Sequence, residues 1–229
     1  MYRKKRLGFA DFAIKINNVA LEKCETYKYL GVHFDKNLNW KSHIDYISEK
    51  ISKSCGALAK LRNCVEIDTL REVYYALVHS YLRYGIIAWG KASQTVLNKL
   101  QVIVNRTIRI ITFAPFRQIN LNPLYEILEI LKVSDIYTLE IAKIAYKQNK
   151  NLLPVNIANY FEESYTTTGN RTSSRISSRA QANINPETSD SIQVKIKCVW
   201  NEIPDEIRAT PFFTSFKKMY KSHLALLYF

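Results

Sequence analysis

The sequence is short of acidic residues, of paired cysteines and of long apolar runs, and each shortage excludes a class of protein. Its four cysteines, Cys24, Cys55, Cys64 and Cys198, form no CxxC pair and have no paired histidines nearby. Neither structural zinc nor a disulfide framework is signalled, and free thiols in a reducing compartment fit the pattern. No run of about 18 apolar residues occurs, so no membrane partner is expected through a spanning helix. Tyr2-Arg3-Lys4-Lys5-Arg6 and the mixed stretch from Leu7 to Ala13 lack a signal-like apolar core, which predicts an intracellular protein of the nucleus or cytoplasm. Only 20 Asp and Glu face 33 Lys and Arg, a net charge of +13 at pH 7. That imbalance favours a polyanionic partner through counterion release, nucleic acid ahead of an anionic membrane surface. At 229 residues, 47% of them hydrophobic, the chain can bury at least one substantial core.

The pattern along the chain predicts a mainly α protein, a helical bundle with a small N-terminal β-hairpin element. Ile14 and Ile16 alternate with polar neighbours around the turn-forming pair Asn17-Asn18, which reads as short strands between Ala13 and Phe34. From Trp40 to about Arg62, Ile44, Ile47, Ile51, Cys55, Leu58 and Leu61 recur at helical steps. The opposite face carries Lys41, Lys50, Lys53 and Lys60, either a phosphate-tracking row or an ordinary wet surface. A second helix is expected to start at an Asp68 N-cap, burying Leu70, Val73, Tyr74, Leu77, Val78 and Tyr81. A third carries Val96, Leu97, Leu100, Val104, Ile108 and Ile111, with Lys99, Arg106 and Arg109 on one polar face and Asn105 beside them. Pro123 opens a segment through Leu131, and Ser134-Asp135 caps another through about Lys147. From Ser164 to Ser191 the Ser, Thr, Asn and Arg content predicts a linker or arm, in which Arg171, Arg175 and Arg179 could meet phosphates. Helices are expected again from Ile192 to Ile207 and from Phe212 to Leu227, with Phe212, Phe216, Met219, Tyr220, Leu224 and Leu227 as the buried stripe. This last segment should dock on the bundle or on a partner.

Several phrases resemble the region after the palm in non-LTR, LINE-type retrotransposon reverse transcriptases of the jockey kind. They are Tyr27-Lys28-Tyr29-Leu30-Gly31-Val32 with Leu38-Asn39-Trp40 and His43-Ile44, then Leu82-Arg83-Tyr84-Gly85 to Trp89-Gly90, then Leu100-Gln101 to Arg109-Ile110-Ile111. Leu153-Pro154 and Trp200-Asn201-Glu202-Ile203-Pro204 follow, before Phe216-Lys217. The resemblance lies in their order and spacing. It implies that residues 1–39 end a palm with a primer-grip-like hairpin at Tyr29, Leu30 and Gly31. It further implies a thumb-like bundle over 40–163, then an arm over 164–191 and a C-terminal helical segment over 192–229. The implied partners are an RNA/DNA template-primer duplex and the fingers–palm part of a polymerase.

The same resemblance marks what this stretch does not supply. Metal-dependent transfer to a primer hydroxyl needs clustered carboxylates, which hold Mg²⁺ only in a complete polymerase. The family's aromatic-Ala-Asp-Asp motif, which stands well upstream of its Tyr-Leu-Gly, has as its nearest counterpart Phe9-Ala10-Asp11-Phe12, with Phe where the second Asp would stand and too close to Tyr29, so it reads as a chance look-alike. His33, His43, His79 and His223 show no ligand spacing, and no nucleophile triad or phosphate-cradling glycine loop is present. The expected role is therefore a polymerase fragment that binds template-primer without catalysing by itself. A helical protein-interaction module with an incidentally basic surface is the alternative.

Overall fold

The computed structural model describes residues 15–20, 22–115, 117, 119–158 and 192–228. It is mainly α, with two small antiparallel hairpins before the first helix. β1 (Lys15–Ile16) pairs with β2 (Val19–Ala20), and both turn residues, Asn17 and Asn18, have positive φ as a two-residue hairpin loop requires. β3 (Thr26–Tyr29) pairs with β4 (Val32–Asp35) in the register Tyr29 to Val32 and Tyr27 to Phe34. Asp35 then closes the strand: its Oδ1 accepts from the Asn37 and Asn39 backbone N–H groups, and Asn39 Oδ1 accepts from Lys41 N. These side-chain turns feed the chain directly into α1.

α1 (Lys41–Leu61) buries Ile44, Ile47, Ile51, Cys55 and Leu58, as its helical spacing predicts. It lies along α5 (Gln94–Thr112), whose Leu100, Val104, Ile108 and Ile111 are buried. Cys55 Sγ and Thr107 Oγ1 share a hydrogen bond of 2.9 Å inside that seam. The chain between α1 and α5 forms a bent rod of α2 (Ile67–Tyr74), a π turn (Tyr75–His79) and α3 (Ser80–Arg83), followed by the short α4 (Ile86–Trp89). The rod corrects one expectation. Leu77 is 40% exposed and Tyr81 only partly buried, while Leu70, Tyr74, Val78, Leu82 and Ile86 form the inner row. The wide π turn absorbs an extra residue, so a strict four-residue step stays on one side where a straight α-helix would have rotated Leu77 inward. Ser54 and Ser80 hydroxyls donate to the Leu77 and Ala76 carbonyls in this stretch.

Two expected caps are also corrected. α2 starts at Ile67 with Glu66 at its N-cap, and Asp68 sits inside the first turn, where a carboxylate still suits the helix dipole. α7 (Val133–Asn149) has Lys132 at its N-cap, and Ser134 is already helical. Its first N–H groups find tertiary partners instead: Val133 N donates to Gln101 Oε1 at 3.0 Å and Lys132 N to the Tyr228 hydroxyl at 2.9 Å. α6 (Asn122–Ile127), opened by Pro123, stops four residues short of the expected Leu131. Glu129 takes a positive φ of 51° and Ile130 N returns to Tyr125 O at 2.9 Å, a Schellman-type close.

α7 is buried on nearly all sides, including Val133, Ile136, Tyr137, Leu139, Ile141, Ala142, Ala145 and Tyr146, as expected for a helix at the centre of a bundle. α8 (Ile192–Glu202), α9 (Asp205–Arg208, after Pro204) and α10 (Phe213–Leu226) complete the fold. α8 and α10 pack on α7, so the C-terminal segment docks on the bundle. Phe216 stacks on Tyr146 at 4.4 Å, and the Tyr146 hydroxyl reaches the Thr210 and Pro211 carbonyls. Of the expected C-terminal stripe, Phe216, Tyr220 and Leu224 are buried, while Phe212 and Leu227 are exposed because they flank α10 rather than belong to it. Met219 lies toward the rim of the buried face at 42% exposure, within 3.6 Å of the Thr210 hydroxyl. The expected arm from Ser164 to Ser191 and the Phe9-Ala10-Asp11-Phe12 phrase lie outside the described residues.

Candidate nucleic-acid interface

The Tyr29-Leu30-Gly31 phrase forms the tip of the β3–β4 hairpin. Leu30 and Gly31 are its two loop residues, at φ 46° and 80°. Positive φ at both positions matches the right-handed strand twist of a tight hairpin, yet holding a leucine there costs on the order of 1 kcal/mol. Leu30 is 72% exposed and Tyr29 57%, so neither is there to fill a core. A strained, apolar, solvent-facing tip is the kind of feature that marks a contact surface.

The tip is held in place by a residue to which the sequence reading gave no role. Tyr84 donates its hydroxyl proton to the Leu30 carbonyl at 2.6 Å, and a Cβ added to Gly31 would lie 3.4 Å from the Tyr84 ring. Tyr84 precedes Gly85, whose positive φ of 63° ends α3 and turns the chain into α4. The Tyr84-Gly85 phrase was visible in sequence, but the partnership spans 54 residues and left no local signal. Beneath the tip, Gly31, His43, Tyr46, Ile47, Tyr81 and Tyr84 line a cavity of about 310 Å³. His43 Nδ1 accepts the His33 backbone N–H at 3.4 Å, and burial, then the neighbouring His33, lower its pKa to about 4. It is a neutral packing residue with its proton on Nε2.

The basic residues divide among several surfaces. On α1, Lys50 approaches the Tyr46 ring at 5.5 Å, and Lys28 of the hairpin approaches the same ring at 5.6 Å, so Lys50 adjoins the hairpin. Lys53 is engaged with Glu49 at 2.6 Å, and Lys41 and Lys60 are exposed near the two ends of the helix. Nineteen residues separate those ends, roughly 28 Å along the axis, and Lys41 and Lys50, nine residues apart, face opposite sides of the helix, so the four lysines do not make one site. On α5, Lys99 and Arg106 are exposed on one face, and Lys99 bridges to Asp45 of α1 at 2.8 Å. Arg109 and Asn105 turn toward a different place, a cavity of about 360 Å³ that they line with Gln94, Gln101, Asn122 and Tyr125. Asn105 Oδ1 accepts from the Tyr125 hydroxyl at 2.6 Å and from Gln101 Nε2 at 2.9 Å. That network ties α5 to α6 and accounts for Asn105 structurally. Arg171, Arg175 and Arg179 lie outside the described residues.

Among the described residues, no helix is long and apolar enough to cross a membrane. No protein-family model and no solved structure matches the chain. The RNA-directed DNA polymerase from mobile element jockey of Drosophila funebris is 34% identical over 107 residues, 45% of this chain and 12% of that protein. A probable RNA-directed DNA polymerase from transposon BS of Drosophila melanogaster is 32% identical over 115 residues, 49% of this chain and 13% of its own length. About half of this chain is homologous to non-LTR retrotransposon reverse transcriptases. A probable polymerase from the X-element of Drosophila melanogaster matches more distantly, 24% identical over 102 residues. The matched stretches span only 11–13% of these polymerases, far less than a whole enzyme.

Proposed function

We propose that this chain is the part of a retrotransposon RNA-directed DNA polymerase that holds the template-primer duplex. In this reading the β3–β4 tip meets the primer end, and the α1–α5 surface follows the duplex backbone as a thumb. Residues 1–39 belong to the palm edge, 40–163 to the thumb, 164–191 to an arm and 192–229 to a helical extension that braces it. The observation that carries the proposal is the exposed hairpin tip, with a leucine kept at positive φ and fastened by Tyr84, in a chain related to such polymerases. Lys50, Lys99 and Arg106 supply sequence-independent contacts to phosphates, and A-form-like hybrids are read by shape and backbone. The chemistry of nucleotide addition, and the Mg²⁺ it uses, belong to the fingers–palm part of a complete polymerase.

The test is fluorescence anisotropy with a labelled RNA/DNA hybrid carrying a recessed primer end. Leu30→Asp is expected to weaken binding about tenfold, because it places a carboxylate beside phosphates at a site where the native side chain buries little. Its thermal midpoint should stay near that of the wild type. Absence of hybrid binding at low salt would instead favour a helical protein-interaction module with an incidental positive surface.

A further inference from the structure

A second concentration of positive charge lies at a cleft that shares Ser80 and Tyr84 with the cavity beneath the hairpin. The cleft, about 460 Å³, opens among the π turn, α3 and α7, and is lined by Tyr75, His79, Ser80, Arg83, Tyr84 and Glu140. Tyr75, His79 and Arg83 follow the four-residue step of the buried row one position further on, so the π turn stacks them along one wall. Glu140 on the opposite wall is held by Arg83 Nε at 2.8 Å and Lys143 Nζ at 2.5 Å. Lys221 Nζ donates to the Tyr75 hydroxyl at 3.0 Å and sits 5.2 Å over its ring. Lys217 lies one turn earlier on α10. Arg83, Lys143 and Lys221 thus all bear on His79 in the cleft wall against the one carboxylate of Glu140, and the nearby Arg71–Glu129 pair adds no net charge. The Arg83 side chain remains 52% exposed although its Nε is engaged.

Charge of this sign calls for an anion, and the aromatic neighbour narrows the class. Tyr84 is 56% exposed and lines both this cleft and the cavity beneath the hairpin. Cations for phosphates beside an exposed ring for a base is the arrangement by which proteins hold single strands without reading sequence. We propose that the cleft grips an unpaired nucleic-acid strand, with Arg83 and Lys221 on successive phosphates and a base stacked against Tyr84. The strand would continue from the duplex at the hairpin tip, so the idea builds on the duplex-holding reading but can fail or succeed apart from it. An acidic peptide is the competing ligand class, and it would have no use for the ring.

The experiment measures binding of a labelled single strand of about 12 nucleotides and, separately, of a blunt RNA/DNA hybrid, each across a salt series. The proteins are the wild type, Arg83→Gln/Lys221→Gln, Tyr84→Phe, Tyr84→Trp and Lys99→Ala/Arg106→Ala, all checked for unchanged helical content. The Arg83/Lys221 variant should lose affinity for the single strand and flatten its log–log salt slope by about 1.4, two contacts at about 0.7 each. Its hybrid binding should be nearly unchanged. Tyr84→Trp should keep single-strand affinity, and Tyr84→Phe should stay within about threefold, since each retains a ring for stacking. Lys99→Ala/Arg106→Ala should show the reverse selectivity. No single-strand binding at low salt would overturn the proposal, as would an unchanged slope in Arg83→Gln/Lys221→Gln. Competition by poly-glutamate as strong as by an unlabelled strand of equal charge would assign the cleft to an acidic protein partner instead. Loss of hybrid binding in the wild type with retained single-strand binding would remove the duplex-holding reading and leave this one standing.

Discussion

Replacing Gly90 by alanine should be among the most damaging single-methyl changes in the protein. Gly90 has ordinary helical torsions, φ −64° and ψ −8°, so backbone strain is not the cause. The cause is space: a Cβ there would lie 2.4 Å from Tyr137 Cδ2, 2.8 Å from Tyr137 Cγ and 2.6 Å from the Ile86 carbonyl oxygen. The tyrosine belongs to the central helix α7, and the oxygen belongs to backbone that already accepts the Gly90 N–H at 2.6 Å. The ring cannot withdraw without loosening the α4–α7 contact, and the carbonyl cannot without breaking its own hydrogen bond to Gly90. Overpacking costs roughly 1–3 kcal/mol, and a backbone clash puts Gly90→Ala near the upper end, about 3 kcal/mol. For a chain of this length each kcal/mol moves the thermal midpoint by about 2–4 °C, so a drop of roughly 6–12 °C is expected. Gly56→Ala is the internal control. Gly56 is exposed inside α1, in its C-terminal third, with nothing within 4 Å of its added Cβ. Alanine there should gain about 1 kcal/mol from helix propensity, raising the midpoint by roughly 2–4 °C. Differential scanning fluorimetry reads both. An unshifted midpoint for Gly90→Ala would refute the close approach of α4 and α7. Partial recovery in Gly90→Ala/Tyr137→Leu is expected, because that change frees the ring side of the clash but not the carbonyl side.

Acid should destabilise the bundle through two histidines. Burial lowers the pKa of His43 and of His79 from 6.5 to about 4, so the unfolded chain takes up protons that the folded chain refuses. Their full contribution is present above the unfolded value of 6.5 and is lost as pH falls toward 4. Near pH 5 the loss is on the order of 2 kcal/mol for each. Urea midpoints measured across that window should fall with acid, and a flat profile would contradict the burial of both rings. A different assay addresses chemistry: the chain alone, given template-primer, nucleotides and Mg²⁺ or Mn²⁺, is expected to extend no primer, and extension abolished by Asp11→Ala would reverse that expectation.

The regular helices were legible because their burial follows a simple period, as Ile44, Ile47, Ile51, Cys55 and Leu58 show on α1. So was the Asn17-Asn18 turn, where residue type and backbone torsion agree. What the sequence hid was non-local or irregular. The π turn alters the period in mid-helix, which is why Leu77 was expected inside and is 40% exposed. The start of α7 was assigned to Ser134-Asp135, whereas Gln101 and Tyr228, far along the chain, satisfy its first N–H groups. At the candidate interface, Tyr29, Leu30 and Gly31 were recognisable as a phrase, but Tyr84 was not recognisable as their anchor. Lys99, Arg106 and Arg109 share a helical face by counting residues, yet the packing of α6 draws Arg109 and Asn105 into an amide-lined cavity and leaves Lys99 and Arg106 on the open surface. Arg83, Lys143 and Lys221 come from three separate elements, and only the tertiary fold brings them together.

The central claim, that the α1–α5 surface follows a duplex backbone, is tested most directly by the salt dependence of hybrid binding. Wild type and Lys99→Ala/Arg106→Ala would be titrated by fluorescence anisotropy against the same RNA/DNA hybrid over a range of salt. Because Lys99 is bridged to Asp45, its release on binding must be offset by the phosphate contact, and Arg106 should carry the larger share. Two lost phosphate contacts predict a slope flatter by about 1.4–1.8 in log K against log salt, with thermal stability unchanged within about 1 kcal/mol. A slope equal to that of the wild type, with hybrid affinity intact, would contradict the account.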